Sequence, residues 1–225
     1  MFDLDGLLEM QSELLSYIPH GHKIPEPAEA TTIAAIGFIE EICEYVETCG
    51  LLSFDLKQTA TVVGSHYSSS PPVERHKDEE IADTLFFFLE MMLFQGFSPS
   101  EVMKEVEKIR GVSTMEDLLE SFQYTPSSNS GVDLLCNIAC ALINRTLVFL
   151  GTIGFKSWRP NPLPREAQIK EFAILTIVYA ELLKASGVSL DRLKGLYVIK
   201  WGINRERWTS AKQGDYSWDK RGTKL

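Results

Sequence analysis

Four cysteines in 225 residues, Cys43, Cys49, Cys136 and Cys140, form no CxxC pair and have no histidine at metal-ligand spacing. That scarcity argues against a disulfide framework or a thiolate zinc site, and small buried hydrophobes in a reducing compartment are the expectation. Basic charge is also in short supply: 22 Lys and Arg against 31 Asp and Glu leave a formal charge of -9. Such a balance speaks against a chain built to grip nucleic-acid phosphate. It leaves room for a nucleotide held through cations, which convert an acidic pocket into a phosphate site. The few histidines, His20, His22, His66 and His76, sit in or beside loops and read as solvated. The opening "MFDLDGLLEM" lacks the basic start and apolar core of a signal peptide. The apolar run around residues 81–94 is too short and too acid-flanked to span a bilayer. A soluble, cytoplasmic protein with no nucleic-acid and no membrane partner is expected.

What remains is helical pattern, in a chain 44% hydrophobic and so able to bury a sizeable core. Asp3 or Asp5 is positioned to cap a first helix reaching about Tyr17, where "IPHGHKIPEP" stops it. "EATTIAAIGFIEEICEYVETCG" reads as a second helix with Ile36, Ile39, Cys43 and Val46 as its apolar face and Gly50 as its C-cap. After the Ser/Pro-rich "GSHYSSSPPVE", "HKDEEIADTLFFFLEMMLF" forms a helix ended by Gly96, and "SPSEVMKEVEKI" starts another on a Ser cap with Pro in its first turn. Phe86–Phe88, Met91 and Met92 read as core, and Trp201, Trp208 and Trp218 as packing for the C-terminal segment.

"YTPSSNSG" (124–131) is the linker, and beyond it the pattern repeats. Ile39 aligns with Ile143, Gly50 with Gly154, Gly96 with Gly187 and Ser98 with Ser189. The expected architecture is a single all-α domain over 1–225, a helical bundle of two tandem helical-hairpin units at roughly 31–111 and 132–205. The second copy lacks most of the acids. Asn144, Arg145 and Val148 replace Glu40, Glu41 and Glu44, Ile174 replaces Asp83, and Glu171 survives. The acids are therefore not needed by the hairpin itself.

Glu41 and Glu44 are three residues apart, as are Glu80 and Asp83, so each pair shares a helix surface. Lying roughly opposite the Ile36/Val46 stripe, Glu41 and Glu44 taken alone suit a solvated face. Glu80 and Asp83 do not: they run in line with Thr84, Phe87, Met91 and Phe94, where a bare charge is costly. Two partners can resolve that cost, a basic side chain or a divalent cation. Oxygen-only ligands suit Mg²⁺, with Mn²⁺ as substitute. Near the other end, Lys200, Asn204 and Arg207 at i, i+4 and i+7 form one helix face, suited to phosphate oxygens or simply to a solvated basic helix end.

The combination E41-I-C-E44 … E80-I-A-D83 resembles the ExxE…ExxD pattern of the all-α NTP pyrophosphohydrolases, the MazG-like and dimeric dUTPase superfamily. "YVIKWGINRER" (197–207) resembles the Y-x-x-K-x-x-x-N-x-x-R motif of its dimeric dUTPase and phage dCTP/dUTP pyrophosphatase branch, and the Gly214/Tyr216 tail resembles that branch's end. The resemblance covers roughly residues 31–222. It implies a Mg²⁺-dependent hydrolase acting on a small-molecule nucleoside triphosphate, dUTP and/or dCTP, with Glu41, Glu44, Glu80 and Asp83 on the metal and Glu41 as catalytic base. It further implies that Lys200, Asn204, Arg207, Tyr216 and Gln11 contact substrate, and that the protein is a homodimer. The sequence departs from the pattern at Ala34, where an aromatic is usual, and at Trp208, where Gln is usual. Two other readings stay open: a non-catalytic helical interaction or regulatory module, and the same chemistry on a purine, modified nucleotide or phosphoribosyl-ATP.

Overall fold

The computed structural model describes residues 2–17, 25–49, 77–123, 131–154 and 161–212, and every regular element among them is an α-helix. In chain order these are α1 (Leu4–Ser16), α2 (Pro27–Thr48), α3 (Lys77–Phe94), α4 (Pro99–Arg110), α5 (Met115–Glu120), α6 (Gly131–Thr152), α7 (Arg165–Ala185) and α8 (Leu190–Lys212). The Gly50 cap, the histidines, the Ser/Pro loop, Tyr216 and Trp218 lie outside the described residues, as does the linker apart from Gly131, which opens α6.

Local signals account for the helix ends. The Asp3 carboxylate accepts from the Gly6 amide at 2.9 Å and starts α1. Ser98 and Glu101 cap α4 reciprocally, with Pro99 in the first turn. The turn between α3 and α4 needs Gly96, whose φ is 62°, in the left-handed region that favours glycine. Arg165, at the start of α7, closes over that turn, donating to the carbonyls of Gln95 and Gly96 and to the Glu101 carboxylate.

Packing then joins the helices. α2 packs most extensively on α3 and α6 on α7, while α2 also meets α6 and α8 meets both α1 and α3. At the centre, Phe38, Phe88, Phe97, Phe149, Phe172 and Tyr179 interlock, with Phe88 stacked on Tyr179 at a centroid distance of 5.0 Å. The buried Tyr179 hydroxyl shares a 2.9 Å hydrogen bond with Thr84, so α7 is pinned to α3 by a polar contact inside an apolar layer.

Three expectations are corrected here. Of the expected apolar face of α2, Ile36/Ile39/Cys43/Val46, only Val46 is fully buried. Ala34, Ala35, Phe38, Ile42, Tyr45 and Val46 are buried, whereas Ile36 is 51% exposed and Ile39 and Cys43 are half-buried. α2 is apolar on several sides, and contact with α3 and α6 selects the alanine and aromatic side for burial. The cysteines are free but not fully buried: Cys43, Cys49 and Cys136 are half-buried and Cys140 is exposed. Three of them line an open apolar groove between α2 and α6, floored by Ile42, Val46, Ala139 and Ile143. Phe87, finally, is half-buried, unlike its neighbours Phe86 and Phe88.

One stretch of α6, Asp133–Thr152 with a mean hydropathy of 1.7, is long and apolar enough by length and composition to cross a membrane. Its Ile138, Ala139, Leu142, Thr146 and Phe149 are buried within the bundle.

Candidate functional site

Three of the four expected acids are brought together. One carboxylate oxygen each from Glu41, Glu44 and Glu80 lie within 4.8 Å of one another. α2 supplies the first two and α3 the third, so the close α2–α3 packing creates the cluster. Gly37 shows how close that packing is: a Cβ there would stand 2.4 Å from Cε1 of Phe87, so the ring of α3 lies directly on the backbone of α2. One turn further along α2, at Glu41, the carboxylates begin. Neither Glu41 nor Glu44 is on a fully solvated face: both are half-buried, and Glu80 is buried at 6% exposure.

Such crowding has an electrostatic consequence. Burial, followed by the charge of Asp83 and a hydrogen bond with Glu80, pushes the Glu41 carboxyl up to about 9. This favours the protonated form of Glu41, hydrogen-bonded to Glu80, because the neighbouring carboxylates cannot all ionise together. An all-oxygen donor set of three carboxylates with displaceable protons fits a hard divalent cation. Glu41, Glu44 and Glu80 are the residues placed to hold it.

The fourth acid is placed differently. Asp83 lies one turn along α3 from Glu80, and its carboxylate accepts a charge-assisted contact from Lys200 Nζ at 2.8 Å. Burial raises the Asp83 carboxyl above the usual range, and Lys200, with Arg207 contributing less, pulls it back. The acids of this site are therefore held in two ways: a basic partner for Asp83, and a raised Glu41 carboxyl hydrogen-bonded to Glu80. Of the basic residues expected from spacing and from the resemblance, Lys200 contacts the acid helix at Asp83, and Arg207 acts on Asp83 only as a weaker nearby charge. Asn204 lies between them on α8 and is partly accessible.

Gln11 is fully buried. Its amide oxygen accepts from the Tyr197 hydroxyl at 2.7 Å, and its amide nitrogen donates to Glu90 at 2.9 Å. Both ends of the amide are engaged inside the protein. Tyr197 itself stacks on Phe86 at 4.4 Å, and Trp201 Nε1 donates to the Met10 carbonyl at 2.8 Å, so α8 is docked on α1 and α3 by specific contacts. Glu90 is the residue that sequence reasoning missed. Burial pushes its carboxyl up to about 7, against the opposing hydrogen bond from Gln11. The signal was present in its spacing, seven residues and two turns beyond Asp83 on the same helix face. Among family models, curated proteins and solved structures, nothing matches this chain.

Proposed function

We propose that the protein is a Mg²⁺-dependent nucleoside triphosphate pyrophosphohydrolase, cleaving the α–β bond of dUTP and/or dCTP to the monophosphate and pyrophosphate. The observation that carries this reading is the convergence of Glu41, Glu44 and Glu80 within 4.8 Å, beside an Asp83 faced by Lys200. A bound Mg²⁺ supplies charge neutralisation for the triphosphate and a lowered pKa for a coordinated water. With a cation in place of its own proton, Glu41 would be free to accept the proton of the attacking water. That water's oxygen bonds to the α-phosphorus as the bond to the bridging oxygen breaks, and the electron pair leaves with pyrophosphate. Lys200 and Arg207 offset the charge that develops on this leaving group. Asn204 contacts the phosphates or the sugar.

We read the bundle as two tandem copies of one helical hairpin, the second having lost its acids. Arg145 stands where the first copy has Glu41, and its guanidinium lies 3.9 Å from Glu171, the counterpart of Glu80. With Val148 and Ile174 in place of Glu44 and Asp83, and Arg145 beside Glu171, the second copy has no acid cluster to hold a cation. Exposed Ile33, Ile36, Leu147 and Val148 favour a homodimer in a cytoplasmic protein, and they equally favour the second reading, a helical interaction module without turnover.

The deciding experiment incubates the protein with dUTP, dCTP and the other triphosphates, in Mg²⁺ or EDTA, and assays pyrophosphate. Mg²⁺-dependent release that Asp83→Ala abolishes, in a variant that still melts cooperatively, supports the hydrolase. No release from any triphosphate leaves the interaction module.

A further inference from the structure

Between residues 80 and 92 of α3, only Asp83, Phe87 and Glu90 escape full burial. They fall at i, i+4 and i+7, so they form a single accessible line: an acid, an aromatic ring, an acid. One end of the line is the Asp83–Lys200 contact beside the glutamate cluster. The other end, two turns and about 10 Å away along the helix, is Glu90. The middle is the Phe87 ring, seated on the backbone of α2 at Gly37.

Glu90 differs from an ordinary surface acid in how it is held. Behind it stand two fully buried side chains in series, Gln11 donating to its Oε1 and Tyr197 donating to Gln11. With the Tyr197 hydroxyl donating to the amide oxygen, the Gln11 nitrogen faces Glu90, and an ionised Glu90 favours this orientation because a flipped amide would set its oxygen against the carboxylate. Three helices, α1, α3 and α8, thus fix one carboxylate at the partly accessible end of this line. Burying a chain of polar groups to hold a carboxylate still is costly for a fold and useful for recognition.

We propose that Glu90 is the specificity-determining residue of the site, accepting a hydrogen bond from the exocyclic amino group of the base and so selecting an amino-bearing pyrimidine over uracil. This rests on the hydrolase reading above, with the triphosphate at the glutamates and the base extending past Phe87. Above about pH 7, where Glu90 is ionised, its carboxylate has lone pairs and no donor, so it complements the two N–H groups of a cytosine amine and opposes the carbonyl oxygen that uracil carries at the same position. Sites that match a polar group discriminate strongly against an analogue that cannot supply it.

The test compares kcat/KM for dCTP and dUTP at pH 8, where Glu90 is ionised, in the native protein and in Glu90→Gln. Glutamine keeps the acceptor for Gln11 and adds a donor that suits the uracil oxygen. The expected native ratio favours dCTP, and Glu90→Gln lowers that ratio at least about tenfold while Mn²⁺ affinity, read by electron paramagnetic resonance, stays within twofold. Tyr197→Phe, which loosens Gln11 without touching ligand, moves the ratio the same way by a smaller factor. A native preference for dUTP, or a ratio unchanged in Glu90→Gln, overturns the role of Glu90 and leaves the hydrolase intact. A native protein that hydrolyses neither nucleotide overturns both.

Discussion

Titrating the protein with Mn²⁺ between pH 6 and pH 8 tests the acid cluster through its proton. Unit charges 4.8 Å apart repel by about 3–4 kcal/mol at an effective dielectric of 20. Three ionised glutamates at that separation would cost on the order of 10 kcal/mol, comparable with the whole stability of a domain. A proton on Glu41 removes two of the three repulsions, which is the physical content of its carboxyl being pushed up to about 9. At pH 7, expelling that proton costs about 3 kcal/mol, less whatever solvent screening at its accessible edge takes back. A cation must meet this cost. Its binding should therefore release about one proton, and its affinity should rise about tenfold per pH unit, roughly 100-fold from pH 6 to pH 8. Isothermal titration calorimetry in two buffers of different ionisation enthalpy counts the proton directly. Glu41→Gln should bind Mn²⁺ at least about tenfold more weakly and with no pH dependence. The sign for stability runs the other way in EDTA. A carboxyl raised in the folded state contributes fully below its unfolded value near 4.5, and that contribution is lost as pH rises through about 9. The metal-free protein should melt lower toward pH 9, and Mn²⁺ should reverse the trend. Affinity that is flat with pH and accompanied by no proton release would refute the reasoning.

Three further outcomes follow from single contacts. Lys200→Met strands a largely buried Asp83, so thermal unfolding should show a loss of about 2 kcal/mol, recovered in large part by adding Asp83→Asn. Gly37→Val drives side-chain atoms into the Phe87 ring. Chemical denaturation should report about 1–3 kcal/mol of destabilisation, and Mn²⁺ affinity should drop because α2 and α3 are pushed apart beside the glutamates. Glu90, raised to about 7, contributes stability that is complete below about 4.5 and lost as pH climbs through 7; melting curves across that window should slope downward in the native protein and flatten in Glu90→Gln.

Much of the local structure could be read from the chain alone. Asp3 capping α1, Ser98 with Pro99 opening α4, and Gly96 at positive φ are each decided by residues within a few positions of one another. The same holds for the three-residue spacing that sets Glu41 beside Glu44 and Glu80 near Asp83. The face that α2 buries could not be read this way. Ile36 looked like core and is half-exposed, because contact with α3 and α6 favours the alanines, Phe38 and Tyr45. Nor could the sequence say that Lys200, more than a hundred residues away, neutralises Asp83, or that Gln11 spends both ends of its amide on Glu90 and Tyr197.

Hydrophobic period, caps and glycine positions act over one or two helical turns, so the sequence by itself determined an all-helical chain, its helix ends and the pairing of acids along each helix. The meeting of three glutamates, the raised carboxyl of Glu41 and the anchored carboxylate of Glu90 were decided only when separate helices packed. Burial and charge depend on what stands across an interface, and that is a property of the assembled helices rather than of any one of them.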